Sequence, residues 1–420
     1  MTILLLYITL FVGAYFVVNY LQRNRKLAGL NSRKTVTFGD ESAVISDRYA
    51  TVISVLVIFI IWAAFTNSVI LPVHVPGPFI GTTSFSYTAE NAAGERDEAQ
   101  VSVIVHPADE KPDQPEINAG GGFASNDIAM VGAWRSKLIN VKKNDEGGKE
   151  SGYRVVAVNG KSIRVGEPLE LDDGQVTLTA KQSLNFIPNK GLQLEPIWMP
   201  SPEAVVKRFI EIMSDGYQNF SLLQHLGWSL LRVVAGFFFG ALLGIPLGYA
   251  MGLSGWFRGW FDPIVEFMRP VPPLALIPLV IIWFGIWETG KIVLLFLAAL
   301  WIMTIAARAG VSGINISKVH AAYCLGASKW QLLRYVIVPN SLPEIFTGAR
   351  VAMGVCWGTV VAAELVAAQK GAGMMIIAAS KFQLTDIVLM GIVLIGIIGY
   401  SIDILMRRTE KWLVPWKGRS

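Results

Sequence analysis

The chain has 420 residues, 53% of them hydrophobic and only 16% charged, with a mean hydropathy of +0.47. Soluble domains carry about a quarter of their residues as charges, so this composition excludes a wholly water-soluble enzyme or binding module and describes an integral membrane protein. Charge is also divided along the chain: Ile70 to Pro200 holds 12 Lys/Arg against 17 Asp/Glu within an overall balance of +5. The acidic middle and the basic remainder are therefore expected on opposite sides of a membrane.

The stretch Ile3–Leu21 is apolar and has the length of one crossing. Met1–Tyr20 lacks a basic start and a small-x-small cleavage site, so it reads as a retained helix rather than a signal peptide. Arg23, Arg25, Lys26, Arg33, Lys34 and Arg48 follow it and place this loop in the cytoplasm by the positive-inside rule, with Met1 outside. Tyr49–Phe65 then runs back out.

Residues 70–200 lack long apolar runs. Period-two alternation predicts strands at Ser84–Thr88, Gln100–Val105, Tyr153–Val158 and Gln175–Thr179, punctuated by Asn159-Gly160 and Asp172-Asp173-Gly174. A small β-sandwich is expected, without disulfides, because the two cysteines are Cys324 and Cys356. The segments "GTTSFSYTAENAAGERDEAQVSVIV" and "GQVTLTAKQSLNFIPNKG" resemble strands of bacterial Ig-like or cadherin-like repeats, in permuted order. Calcium sites of such repeats need clustered Asp and Asn oxygens, whereas Lys142-Lys143-Asn144-Asp145 sets two cations beside the candidate ligands, so no metal is expected.

Ser201-Pro202-Glu203 starts a short amphipathic helix, with Ser as N-cap, Pro in the first turn and Glu near the positive dipole end. It is expected to lie on the outer surface. Further spans are predicted at Leu222–Leu253, Val271–Trp287, Ile292–Ala306, Gly348–Ala368 and Ile387–Met406, giving seven in all with the N-terminus out and the C-terminus in. Gly371–Ser380 is too short to span and is expected to dip into or lie against the outer side. Gly236, Gly240, Gly244 and Gly248 recur every four residues, which lets a neighbouring backbone approach. Pro270, Pro272, Pro273 and Pro278 break the following span.

Charges inside spans are functional candidates. Glu364 is expected either to line a translocation path or to pair with a neighbouring helix. Arg232, at the same depth, is expected either to attract an anionic solute or to snorkel to the outer headgroups. Glu288 and Lys291 read as solvated residues at an outer boundary.

From Val319 to Pro339 the chain reads as a helix of small residues, a glycine break, a second helix with Trp330, Leu333 and Ile337 along one side, and a proline stop. Two short helices at an angle, outside the bilayer, would make a rigid knob. This segment resembles the EAA loop of ABC import permeases, whose pattern is Glu-Ala-Ala, three residues, Gly, nine residues, an aliphatic, one residue, a small aliphatic and Pro. Ala321, Ala322, Gly326, Val336, Val338 and Pro339 fall on that spacing, and His320 replaces the glutamate. With "MRPVPPLALIPLVIIWFGI" and "VVAAELVAAQKGAGMMI", the resemblance runs from about Met199 to Trp416 and points to the nitrate, sulfonate, taurine and bicarbonate branch.

That resemblance implies a mainly α, polytopic membrane protein with the type I ABC importer permease fold and an inserted extracytoplasmic β-sandwich-like domain. Its parts would be an added helix and cytoplasmic loop (1–48), a first permease span (49–69), the β-rich insertion (70–200) and a permease core (201–416). It also implies that His320, Ala321, Ala322, Gly326, Ala327, Trp330 and Pro339 grip a separate ATPase. Further implied partners are a periplasmic solute-binding protein, a second permease copy and membrane lipid, with no nucleic acid, in a bacterial inner membrane. The expected cargo is a taurine-like sulfonate or nitrate, moved by ATP-driven alternating access.

No Gly-x-x-x-x-Gly-Lys-Ser/Thr occurs, because Gly147-Gly148-Lys149 lacks the first glycine and the hydroxyl. ATP and its Mg²⁺ would belong to the partner, and this chain is expected to hold no cofactor, metal or catalytic residue. Its four histidines, His74, His106, His225 and His320, are scattered. A membrane-anchored sensor with a ligand-binding β domain is the alternative, but a sensor has no need of an ATPase knob. A secondary transporter would show repeated halves and midplane charges.

Overall fold

The computed structural model describes residues 48–91, 93–107, 112, 122–145 and 152–416, with residues 9, 12–14, 16–17 and 20 before them. The expected helix Ile3–Leu21 lies mostly outside the described residues, and Gly147-Gly148-Lys149 wholly so. Two units divide the chain, Met1–Glu203 and Ala204–Ser420.

In the first unit, α1 (Arg48–Phe65) leads, among the described residues, to nine strands. These are β1 (Gly81–Glu90), β2 (Arg96–His106), β3 (Asp127–Gly132), β4 (Lys137–Ile139), β5 (Arg154–Val158), β6 (Lys161–Ser162), β7 (Pro168–Leu171), β8 (Gly174–Leu178) and β9 (Leu184–Pro188). One sheet has the order β3-β2-β1-β5-β6 and the other β4-β9-β8-β7. All pairs are antiparallel except β2 with β3. Alternation along β1 and β2 buries Phe85, Tyr87, Val101 and Val103, which share one core with Val176, Leu184 and Phe186 of the other sheet. Phe85 and Phe186 stack at 6.0 Å. The four strands predicted from alternation all lie here, and Asn159-Gly160, both at positive φ, make the two-residue turn from β5 to β6.

The β region leaves and rejoins α1 at one place. Val75 N–H donates to Ala64 O, Leu194 N–H to Phe65 O, and Trp62 Nε1–H to Pro200 O at 2.9 Å. Glu203 accepts from Ser68 Oγ at 2.8 Å and Val69 N–H at 2.6 Å.

In the second unit, α2 (Pro202–Asp215) precedes α3 (Leu222–Leu253), whose start is fixed by a capping box of Ser221 and Gln224. Next come α4 (Gly255–Met268), a 3₁₀ turn Pro273–Leu276, α5 (Ile277–Phe284) and α6 (Glu288–Ser312). After these are α7 (Ile316–Cys324), α8 (Lys329–Leu332), a π-helical turn Leu333–Ile337, α9 (Val338–Ala367), α10 (Ala372–Lys381) and α11 (Thr385–Leu413). The glycine stripe of α3 lies flat on α6: a Cβ on Gly240 would stand 2.5 Å from Ala299 Cβ, and one on Gly244 2.7 Å from Leu300 O. Only hydrogen at those positions lets the two backbones meet, as the spacing predicted.

The predicted span Val271–Trp287 holds the 3₁₀ turn and α5, and the segment Pro273–Phe284 meets α4 at 93° across the proline-rich break that the sequence predicted. Among the described residues four helices are long and apolar enough to cross a membrane, or five with the bent pair, and Val52–Phe65 is a shorter apolar helix. The seven predicted crossings include Ile3–Leu21, which lies mostly outside the described residues. α10, with ten residues, is too short to span, as expected.

Candidate functional site

The loop between α6 and α9 is built by caps. Asn315 accepts from Ser317 N–H to start α7, Gly326 at φ +78° turns the chain, and Ser328 with Gln331 forms a capping box that starts α8. None of α7's residues is buried. His320, Ala321, Gly326 and Trp330 are exposed, with Ala322, Ala327 and Pro339 half-buried. Leu325 is 88% and Trp330 66% exposed. An apolar knob standing bare in this way matches a surface covered by a partner.

The knob is braced at its base. Lys318 Nζ donates to Asn340 Oδ1 at 2.8 Å, and Asn340 Nδ2 donates to Val336 O at 2.7 Å. Pro339 does not stop the helix. It occupies the first turn of α9, where a missing N–H costs little, and the π turn before it absorbs the mismatch. Of the expected face, Ile337 is buried and Trp330 is exposed; Leu332 is also buried and Tyr335 is exposed.

At the other end of α9 lies a buried ion cluster. His225, Ser229 and Arg232 lie on one face of α3, at i, i+4 and i+7, and all three are buried. Arg232 Nε donates to Glu288 Oε2 at 2.5 Å and Nη2 to Glu288 Oε1 at 2.8 Å. Its Nη1 donates to Glu364 Oε1 at 2.6 Å and to Lys370 O at 2.9 Å. Glu364 also accepts from Ser229 Oγ at 2.7 Å and from Gly373 N–H at 2.9 Å, within the first turn of α10, where the helix dipole favours a carboxylate. Ala372 N–H donates to Ser229 Oγ at 2.9 Å, and Gly371 N–H to His225 Nδ1 at 3.1 Å, leaving His225 Nε2–H for Tyr217 O. Lys291 Nζ closes the set on Glu288 at 3.1 Å.

The structure therefore brings the two sequence-nominated charges, Arg232 and Glu364, into direct contact. Arg232 has no exposed side-chain surface and does not snorkel. Lys291 is only 7% exposed and Glu288 is the guanidinium's bidentate partner, so neither is a merely solvated boundary residue. The missed signal was the polar triplet His225, Ser229, Arg232 on an otherwise apolar helix. Two cations against two anions make the cluster neutral, and it fastens α3, α6, α9 and α10 at one end.

The family model for binding-protein-dependent transport system inner membrane components matches residues 222–414, which contain both the knob and the ion cluster. The taurine transport system permease protein TauC of Escherichia coli is 46% identical over 226 residues, covering 54% of this chain and 82% of that protein. The chain belongs to this family of ABC transporter permeases. A putative aliphatic sulfonates transport permease protein, SsuC of Escherichia coli, is 38% identical over 218 residues (52% of this chain, 81% of that one). The bicarbonate transport system permease protein CmpB of Synechococcus elongatus is 32% identical over 187 residues (44% and 67%). As a permease the chain is a transport subunit and not an enzyme, and the β unit precedes the matched segment.

Proposed function

We propose that this permease imports a small anionic or zwitterionic solute, a taurine-like sulfonate first and nitrate second, across a bacterial inner membrane by ATP-driven alternating access. Its partners are an ATPase that grips residues 319–339, a solute-binding protein outside, and a second copy of the chain that completes the pore. ATP and Mg²⁺ are held by the ATPase. The observation that carries this reading is the continuity of the bare knob with α9. The 27 residues from Val338 to Glu364 make a rod of roughly 40 Å at 1.5 Å per residue, ending in the ion cluster.

In this reading His320, Ala321, Ala322, Gly326, Ala327, Trp330 and Pro339 form the ATPase contact and its base. Arg232 and Glu364 border the path by holding its outer end closed, since the guanidinium's donors are already given to carboxylates and a carbonyl. The β unit is an insertion at the outer end of α1, where it docks the binding protein. The sulfonate assignment draws on what the relatives' names say they carry. Proteoliposomes holding the permease, its ATPase and its binding protein should accumulate labelled taurine only with ATP inside the ATPase compartment. Accumulation of nitrate but not taurine would overturn the cargo, and ATP-independent accumulation would overturn the mechanism.

A further inference from the structure

The β unit holds a group of carboxylates that the transport reading does not use. Asp127 opens β3, and Asp145 follows the turn after β4. Asp145 is 6% exposed; its Oδ1 accepts from Ser125 N–H at 2.6 Å and from the Tyr87 hydroxyl at 3.5 Å. Its Oδ2 is buried with no hydrogen-bond partner, and so is Oδ2 of Asp127. Buried carboxylate oxygens left bare in this way are costly when both groups are ionised, and a bound proton removes that cost.

Among the described residues the neighbours offset that cost only in part. From β1, the Tyr87 hydroxyl keeps its proton, held above its usual range by burial and then by Asp145, Asp127 and Asp97, and shares that hydrogen with Ser125 O at 3.3 Å. From β2, Asp97 adds negative charge, and its oxygens are taken by Ala124 N–H and Glu98 N–H. From the turn, Lys142 donates to Tyr153 O, stands 4.9 Å over the Tyr153 ring, and its charge offsets only part of the burial of Asp145. Asn144 hydrogen-bonds to Asp127 and offsets only part of the burial. Among the described residues no three acidic, histidine or cysteine side chains are arranged to hold a metal ion.

We infer that Asp127 and Asp145 are a proton-binding site that links the folding of the β unit to the acidity of the solution around it. Burial first, and then the charge of Asp145, push the Asp127 carboxyl up to about 7, and burial raises Asp145 as well. The raised Asp127 value means that the folded unit binds a proton which the unfolded chain, with a carboxyl near 3.9, releases. Stability from this site is full below about pH 4 and is lost as the pH rises through about 7. The inference stands on the β unit alone and does not rest on the transport reading; with the β unit outside, the acidity sensed is that of the external medium.

Hydrogen exchange of the full-length protein in lipid nanodiscs, read on peptides from β1 to β3 between pH 5 and pH 8, tests it. After correction for intrinsic exchange rates, the wild type should lose protection as the pH rises. Its unfolding constant relative to Asp127→Asn should grow by up to about tenfold per pH unit and level off above pH 7. Asp172→Asn, in an exposed turn, should follow the wild type. A wild type whose corrected protection is flat with pH overturns the inference without recourse to any variant. Millimolar calcium chloride that protects the wild type at pH 8 but not Asp127→Asn would also overturn it, since the pair would then hold a metal ion rather than a proton.

Discussion

Arg232 shows how a single side chain can hold four elements and why it cannot be exchanged for lysine. Its guanidinium meets Glu288 with two parallel donors and Glu364 with a third, a fork that a single ammonium cannot reproduce. Removing one partner of such a cluster leaves an unpaired buried charge, so Arg232→Met and Glu364→Ala should each destabilise the helical unit by about 3–5 kcal/mol. Arg232→Lys should recover little of this, and thermal unfolding followed by helical circular dichroism would measure all three. Sequence reasoning found Arg232 and Glu364 because a charge on an apolar helix is costly anywhere, but it could not tell pairing from snorkelling. The choice depends on how α3, α6 and α9 rotate against one another, which is set by the glycine stripe fitting onto Ala299 and Leu300. Asp145 was legible only as an oxygen ligand set beside two cations and Asp127 was not singled out, because the burial of their oxygens depends on the tertiary fold of the two sheets.

Among the elements, the knob and α9 were legible in unequal measure. The positions of α7, Gly326 and α8 follow from local chemistry, since caps and a left-handed glycine act over three or four residues. The join to α9 was misread because proline ends a helix only when its neighbours cannot adjust, and here a π turn takes up the extra residue before Pro339. Gly326→Ala should cost about 1–2 kcal/mol from its positive φ, with no clash to add, since nothing lies near the added methyl. Trp330→Ala, on an exposed ring, should leave the thermal midpoint unchanged while weakening ATPase binding about tenfold or more, a split that co-purification and surface plasmon resonance would register. The bent pair at Pro270–Pro273 was foreseen as a break, and its angle is 93°.

For the molecule as a whole, the strand pattern of residues 81–188 and the helices of 222–413 were readable because their periods of two and 3.6 are distinct. The return of the β region to α1 was not, since the hydrogen bonds that bring residues 194–200 back to the end of α1 connect positions far apart in sequence. Those bonds make the β unit a closed excursion, so deleting residues 75–195 with a short linker should leave a folded permease. If the β unit docks the binding protein, the deletion should lower uptake at low taurine concentration and spare it at saturation. The central claim, that residues 319–339 seat in an ATPase, can be probed through a thiol already present. Cys324 is exposed on the knob and Cys356 is buried, so a maleimide-benzophenone will attach at Cys324 alone. On illumination of the assembled transporter, Cys324 should cross-link to the ATPase subunit, and Cys324→Ser should abolish the product. An ATPase that co-purifies in full yet takes no cross-link from Cys324 would contradict it.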